Sequence, residues 1–421
     1  MNLLSSIGAL LAFTAFGGFL NHRWLRLPMA LAMTLTSVCF ALIVLLVSSL
    51  THISAEVHWA WLRTFDFGPL LLHGVLSLML FAGALCVDVS TLKKWWGPVL
   101  SLSLLGTLLS ALVTATFLWV VLGWFGVDIP FPWALLFASL IAPTDPISVL
   151  AIIQKIKAPA GLSAKIVGES LFNDGMGVLL FVSVLSWIEG RPLSLSSWCQ
   201  TFMWMFLGGI AIGFCLGKIT VWFLSKTQDH TIEIMFTLAL AVSSYALSEA
   251  WGVSAPIATV IGGLCVGHYG RKTNKEVSRQ SKAYASMFWS FVDEILNALL
   301  FALMGLELLL LHLGWSSLFY GILAWFFVLV GRYVGVVSSL LPFHATPGTP
   351  SMLTWSGLRG GISLALVLSI PPSEHTHILV GMTFVVVVVS TLCQGLTLGP
   401  FICHALRRNG LKTSANSPHD F

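Results

Sequence analysis

The chain has 421 residues, of which 57% are hydrophobic and only 9% charged. A soluble domain carries about 25% charged residues, so a wholly water-facing surface is excluded and lipid must cover much of the protein. The formal charge of +4 is small, and no nucleic-acid partner is expected from it.

The first apolar run, 2–20, lacks a basic leader and ends in Asn21-His22-Arg23 with no convincing cleavage site. It therefore reads as a retained helix and not as a signal peptide. A spanning helix needs about 20 largely apolar residues. Further candidates follow near 28–50, 67–87, 97–124, 131–154, 161–188, 197–224, 230–250, 254–269, 286–312, 316–341, 351–370 and 376–405. The 254–269 run is short, with Pro256 and the Gly262-Gly263 pair inside it. The runs are long and continuous, unlike the alternating segments of a β-barrel. The expected fold is an all-α polytopic membrane protein of about 13 transmembrane helices. Residues 1–405 would form the transmembrane domain and 406–421 a short cytoplasmic tail.

Basic residues orient this layout. If the C-terminus is cytoplasmic, seventeen of the twenty-one Lys and Arg fall on that side, and only Arg63 and Arg191 fall outside. That bias places the N-terminus outside and the protein in the inner membrane. The basic stretch near 270–283 reads as a solvated cytoplasmic loop. The seven cysteines are scattered without CxxC or metal spacing, so disulfides and structural zinc are not expected.

Ionisable groups deep in a bilayer are costly and mark function by default. Five are intramembrane: Asp145, Glu169, Asp174, Arg332 and Arg359. Asp88, Glu249 and Glu307 sit near span ends, where side chains can reach headgroups or water. Asp293 and Glu294 lie near a cytoplasmic edge and, with Asn297, are candidates for an entrance. Two arginines neutralise two carboxylates and leave a third over. In low dielectric such a group takes a proton or recruits a mobile cation, which is the minimum equipment for exchange at one site.

Local context nominates the leftover acid. Asp145 lies in Ala142-Pro143-Thr144-Asp145-Pro146, where two prolines interrupt an apolar helix and free its carbonyls. In lipid such a break is tolerated where the freed groups line a cavity or find other partners. Ser170 and Asp174 are i and i+4 on one helix face. Glu169 is turned about 140° away from Asp174 on an ideal helix, so it reads as the paired acid and Asp174 as the free one. Arg359, in Ser356-Gly357-Leu358-Arg359-Gly360-Gly361, marks a second broken helix. Counted along the chain, the two interrupted helices are fifth and twelfth. An odd offset relates them as an inverted repeat, the pattern that points to a transporter's midplane site.

At four stretches the sequence resembles the monovalent cation/proton antiporters, in the Asn-Asp branch that holds prokaryotic sodium/proton antiporters and animal sodium/hydrogen exchangers. The stretches are APTDP at 142–146, GESLFNDG at 168–175, FVDEILNALLFALMGLEL at 291–308 and GLRGGISLALVLSIP at 357–371. The resemblance implies an inverted-repeat fold in which a core bundle, with two crossing broken helices, moves against a dimerisation domain in a homodimer. It implies Na+ ligation by Asp174, Ser170 and Thr144, with the backbone near Asp145 contributing, and with Li+ or K+ as alternative ions. Asn173 stands where the electrogenic branch has Asp, which implies one proton per cation. Glu169 would pair with Arg332, and Arg359 would serve the broken helices and Asp145. Ser290 replaces an acid found in many relatives, which alters the entrance electrostatics, and the short tail argues against regulation through it. No cofactor is implied; the transported Na+ and H+ are the partners, beside membrane lipid.

The rival readings are weaker. A proton-coupled symporter of an organic solute needs a larger polar cavity than these spans can line. An intramembrane enzyme needs a nucleophile with its base, or a metal cluster, and neither HExxH nor GxSxG occurs. A channel would not need the broken-helix pair.

Overall fold

A computed structural model describes residues 3–51, 75–156, 158–190, 195–227, 229–272, 276–307, 315–343 and 348–408. Arg63, Arg191 and all but the first three residues of the tail expected at 406–421 lie outside the described residues. Every regular element among the described residues is helical. Lipid offers no water to backbone N–H and C=O groups, and a helix satisfies nearly all of them internally.

In chain order the helices are α1 (Leu3–Leu20), α2 (Met29–Thr51), α3 (Leu76–Cys86) and α4 (Val89–Lys94). Asp88, expected at a span end, caps α4 by accepting from the Ser90 and Thr91 amides. Next come α5 (Trp96–Trp124), α6 (Phe131–Leu140), α7 (Pro146–Lys155) and α8 (Ala160–Ile188). They are followed by α9 (Leu195–Leu224), α10 (His230–Ala250), α11 (Ala255–Lys272) and α12 (Glu276–Glu307). The chain continues through α13 (Trp315–Leu340), α14 (Thr349–Trp355), α15 (Gly361–Leu368) and α16 (Thr376–Arg408). Two long helices are not α-helical throughout: α5 contains a π turn at Leu102–Gly106 and α16 another at Ser390–Gln394.

Among the described residues, eight helices are long and apolar enough to cross a membrane. The count reaches thirteen only if α1, α3, α11 and the two interrupted pairs, α6 with α7 and α14 with α15, cross as well. Each interruption falls where the sequence carries helix breakers. Residues 141–145 separate α6 from α7 around Pro143, and 356–360 separate α14 from α15 around Gly357 and Gly360.

Small residues set the closest helix contacts, as they do where apolar helices must associate in an apolar solvent. Gly209, Gly213 and Gly217, spaced by four on α9, lie against α11. A Cβ at Gly209 would come within 2.6 Å of the Ser254 carbonyl oxygen. Elsewhere α5 packs on α13 and α12 on α2. The largest apolar cluster joins Leu118, Phe137, Phe301 and Val367, from α5, α6, α12 and α15. The two interruptions are thereby held face to face in the interior, beside α8.

A candidate cation site at two interrupted helices

Helix α8 supplies four polar side chains from two turns, Glu169, Ser170, Asn173 and Asp174. Ser170 and Asp174 face the first interruption together. The Ser170 hydroxyl donates to the Thr144 carbonyl at 2.6 Å and lies 2.9 Å from Thr144 Oγ1. The Thr144 amide donates to Asp174 Oδ1 at 3.2 Å. Asp174 is 3% exposed, and this amide is its donor. Asn173 sits at the same interruption, its Nδ2 donating to the Ala142 carbonyl at 2.8 Å and, more weakly, to Thr144 Oγ1 at 3.4 Å.

Glu169, on the other side of the helix, meets α13. Arg332 Nη1 and Nη2 donate to Glu169 Oε1 and Oε2 at 3.2 and 3.0 Å, a bidentate pair, and Arg332 also reaches the Leu353 carbonyl. Both charges are buried. Arg359 is buried too, and its Nη1 donates to the carbonyls of Ala142 at 2.5 Å and Pro143 at 3.3 Å. It thus supplies donors to carbonyls that the break at 141–145 leaves without helical ones, since Pro146 has no N–H to offer that of Ala142. Asp145 joins the second interruption through its backbone, its N–H donating to the Leu358 carbonyl at 2.8 Å. The carboxylate precedes the N-terminus of α7 and Arg359 follows the C-terminus of α14, so each charge opposes a helix-dipole end.

A cavity of about 40 Å³ opens beside Asp174, walled by Thr144, Asp145, Asn297, Gly360 and Leu171 among others. That exceeds the roughly 10–15 Å³ one water needs. A second cavity, of about 20 Å³, is lined by Thr107, Glu169, Asn173, Arg332 and Arg359. The oxygens of Asp174, Ser170 and Thr144 form a hard donor set suited to an alkali cation. Among the described residues no three His, Cys, Asp or Glu side chains converge as a transition-metal centre.

The structure divides the three entrance candidates. Asn297 is buried and belongs to the cavity wall, with its Nδ2 unpartnered. Asp293, one turn before it on α12, is half-buried, and Glu294 is exposed on the side that carries Phe291 and Ile295. Ser290 is exposed. One polar residue at the site escaped sequence reasoning. Thr107, just after the α5 π turn, donates its hydroxyl to Asn173 Oδ1 at 2.6 Å and so fixes which end of the amide faces Ala142. A lone threonine in an apolar run carries no signal of this.

Comparison with known proteins follows the same lines. The profile of the family described as "Sodium/hydrogen exchanger, transmembrane" matches residues 10–403. The Na(+)/H(+) antiporter NhaP of Pseudomonas aeruginosa is 37% identical over 95% of this chain and 96% of its own length. The Na(+)/H(+) antiporter NhaH of Halobacillus dabanensis is 35% identical over 72% of this chain and 75% of its own. Among solved structures, the sodium proton antiporter MjNhaP1 of Methanocaldococcus jannaschii superposes with a TM-score of 0.77 at 20% identity. The match covers 96% of this chain and all of that one, a likeness of fold.

Proposed function

Because the chain belongs to the sodium/hydrogen exchanger family, we propose that it is a secondary antiporter exchanging Na+ for H+ by alternating access at Asp174. One observation carries the site assignment. Asp174 is buried and accepts a single hydrogen bond, while the described hydrogen bonds of Arg332 and Arg359 go to Glu169 and to backbone carbonyls. A bare carboxylate there is expensive in low dielectric. A proton or a Na+ held by Asp174, Ser170 and Thr144 removes the charge, and the neutralised site is the one that crosses. Proton and cation therefore compete, which couples the two fluxes.

The chain is a transporter and not an enzyme, and Na+ and H+ are its substrates. The cavity supports an ion over an organic solute: about 40 Å³ is far below the roughly 300–1,000 Å³ of small-molecule pockets. Asn173 is neutral and tied to Ala142, which supports one proton per cation and electroneutral exchange. Thirteen crossings, an external N-terminus and a cytoplasmic C-terminus complete the reading, supported by the Lys and Arg distribution. Residues 1–405 then form the transport domain, 406–421 a tail, and the working unit is a homodimer in the inner membrane.

The test uses purified protein in proteoliposomes with an imposed pH gradient. Na+ dissipates the gradient, the apparent KM for Na+ rises as pH falls, and Asp174→Asn abolishes the response. Exchange retained by Asp174→Asn overturns the site assignment. Running Na+, Li+ and K+ in the same assay identifies the ion.

A further inference from the structure

An interrupted helix leaves main-chain groups without partners, and in lipid those groups must be satisfied. At Arg359 both are met from one place. Its N–H donates to Ser390 Oγ at 3.1 Å, and its carbonyl accepts from Thr391 Oγ1 at 3.1 Å. Both hydroxyls belong to the π turn of α16. The Ser390 hydroxyl in turn donates a hydrogen bond to Gln394 Oε1 at 2.6 Å. That oxygen also accepts from Trp325 Nε1 on α13 at 3.2 Å, and Gln394 Nε2 donates to the Trp355 carbonyl at the end of α14 at 3.2 Å. Donors and acceptors match throughout, which fixes the orientation of the Gln394 amide. Ser390, Thr391 and Gln394 all lie buried in or at the end of this turn, while Cys393 between them is exposed, and π turns are frequent at functional sites.

We propose that Ser390 and Gln394 are positioning residues for the exchange reaction: they hold the backbone of Arg359 so that its guanidinium stays on the carbonyls of Ala142 and Pro143. The Ala142 carbonyl is shared with Asn173 Nδ2, and Thr144, two residues on, presents its amide to Asp174. A shift of Arg359 is therefore transmitted to the cation ligands although neither Ser390 nor Gln394 touches them. The proposal rests on the assignment of exchange to Asp174.

The experiment compares Ser390→Ala, Gln394→Met and their double variant in proteoliposomes, reading the Na+ KM and its pH profile separately from the maximal rate. Thr237→Val serves as the structural comparator, since Thr237 accepts from Trp289 Nε1 in an equally buried bond of the same kind away from the site. The expected result is a Na+ KM raised roughly fivefold by either single variant, as for loss of one neutral hydrogen bond, with a displaced pH profile. The double variant adds little to the worse single one, because both act through one network. Thr237→Val lowers thermal stability and leaves the KM unchanged. A wild-type KM and pH profile in Ser390→Ala, a fall in maximal rate alone, or full additivity in the double variant overturns the proposal. If Gln394→Met does not reach the membrane, Ser390→Ala decides by the same criteria. Exchange persisting in Asp174→Asn would instead remove the underlying reading, whatever the network variants do.

Discussion

The buried pair of Glu169 with Arg332 permits a prediction with a size attached. In Glu169→Gln the side chain keeps its shape and loses its charge. Arg332 now faces one amide oxygen where it faced two carboxylate oxygens at 3.2 and 3.0 Å, and the new NH2 group opposes one of its own N–H groups. The Leu353 carbonyl, at 3.2–3.3 Å, remains as its other acceptor. With side-chain exposures of 6% and 5%, water cannot replace the lost counter-charge. Removing one partner of such a pair costs about 3–5 kcal/mol, chiefly because it strands the other charge. Removing both is far milder, so Glu169→Gln combined with Arg332→Met should melt above Glu169→Gln alone. A protein of this size in detergent has no single two-state unfolding free energy. The assay therefore ranks apparent melting temperatures followed by tryptophan fluorescence. The reasoning is refuted if Glu169→Gln melts with the wild type, or if the double variant melts no higher than Glu169→Gln alone.

Two further outcomes follow from contacts at the first interruption. Thr107→Val is nearly isosteric but leaves Asn173 Oδ1 buried without its donor, a loss of about 1–3 kcal/mol. A raised Na+ KM is expected in the proteoliposome assay, and an unchanged one would mean that Ala142 alone orients the amide. Gly177→Ala places a methyl group 2.6 Å from Pro143 Cδ and 3.3 Å from its nitrogen. The rigid ring must move, the Thr144–Asp174 contact opens, and cation affinity falls. Gly123→Ala, where an added Cβ meets nothing within 4 Å, is the matched control, and equal behaviour of the two would refute the argument.

The fold was legible because lipid enforces a simple grammar of long apolar runs closed by polar turns. The helices fall on the expected stretches except in the basic stretch read as a loop near 270–283, where α11 runs to Lys272 and α12 begins at Glu276. The interruptions were legible for a related reason: Pro143, Pro146 and the glycines at 357, 360 and 361 each remove a donor or stiffness from a helix at mid-membrane. The π turns were not. Ser390–Gln394 contains neither Gly nor Pro and Leu102–Gly106 only the glycine at its end, and the bonds of Ser103, Ser390 and Thr391 to residues outside their own helices are encoded by no local pattern. The same division holds within the site. Ser170 and Asp174 could be placed on one face from spacing alone, and Glu169 away from them. That Thr107 secures Asn173 depends on two helices meeting 66 residues apart in sequence.

The expectation from sequence was that Arg359 serves the broken helices and Asp145, without saying through which atoms. In the structure its guanidinium donates to the Ala142 and Pro143 carbonyls. An interruption in a membrane helix creates acceptors that need donors from within the protein, because lipid offers none. Each interruption solves this through the other: Arg359 covers the carbonyls of Ala142 and Pro143, and the Asp145 amide covers the carbonyl of Leu358. With α8 bonded to the first and α16 to the second, separating them would strand several polar groups at once in low dielectric. On the exchange proposed at Asp174, alternating access then carries both interruptions, α8 and the π turn of α16 as one body, with its sliding surfaces where apolar side chains and small residues meet.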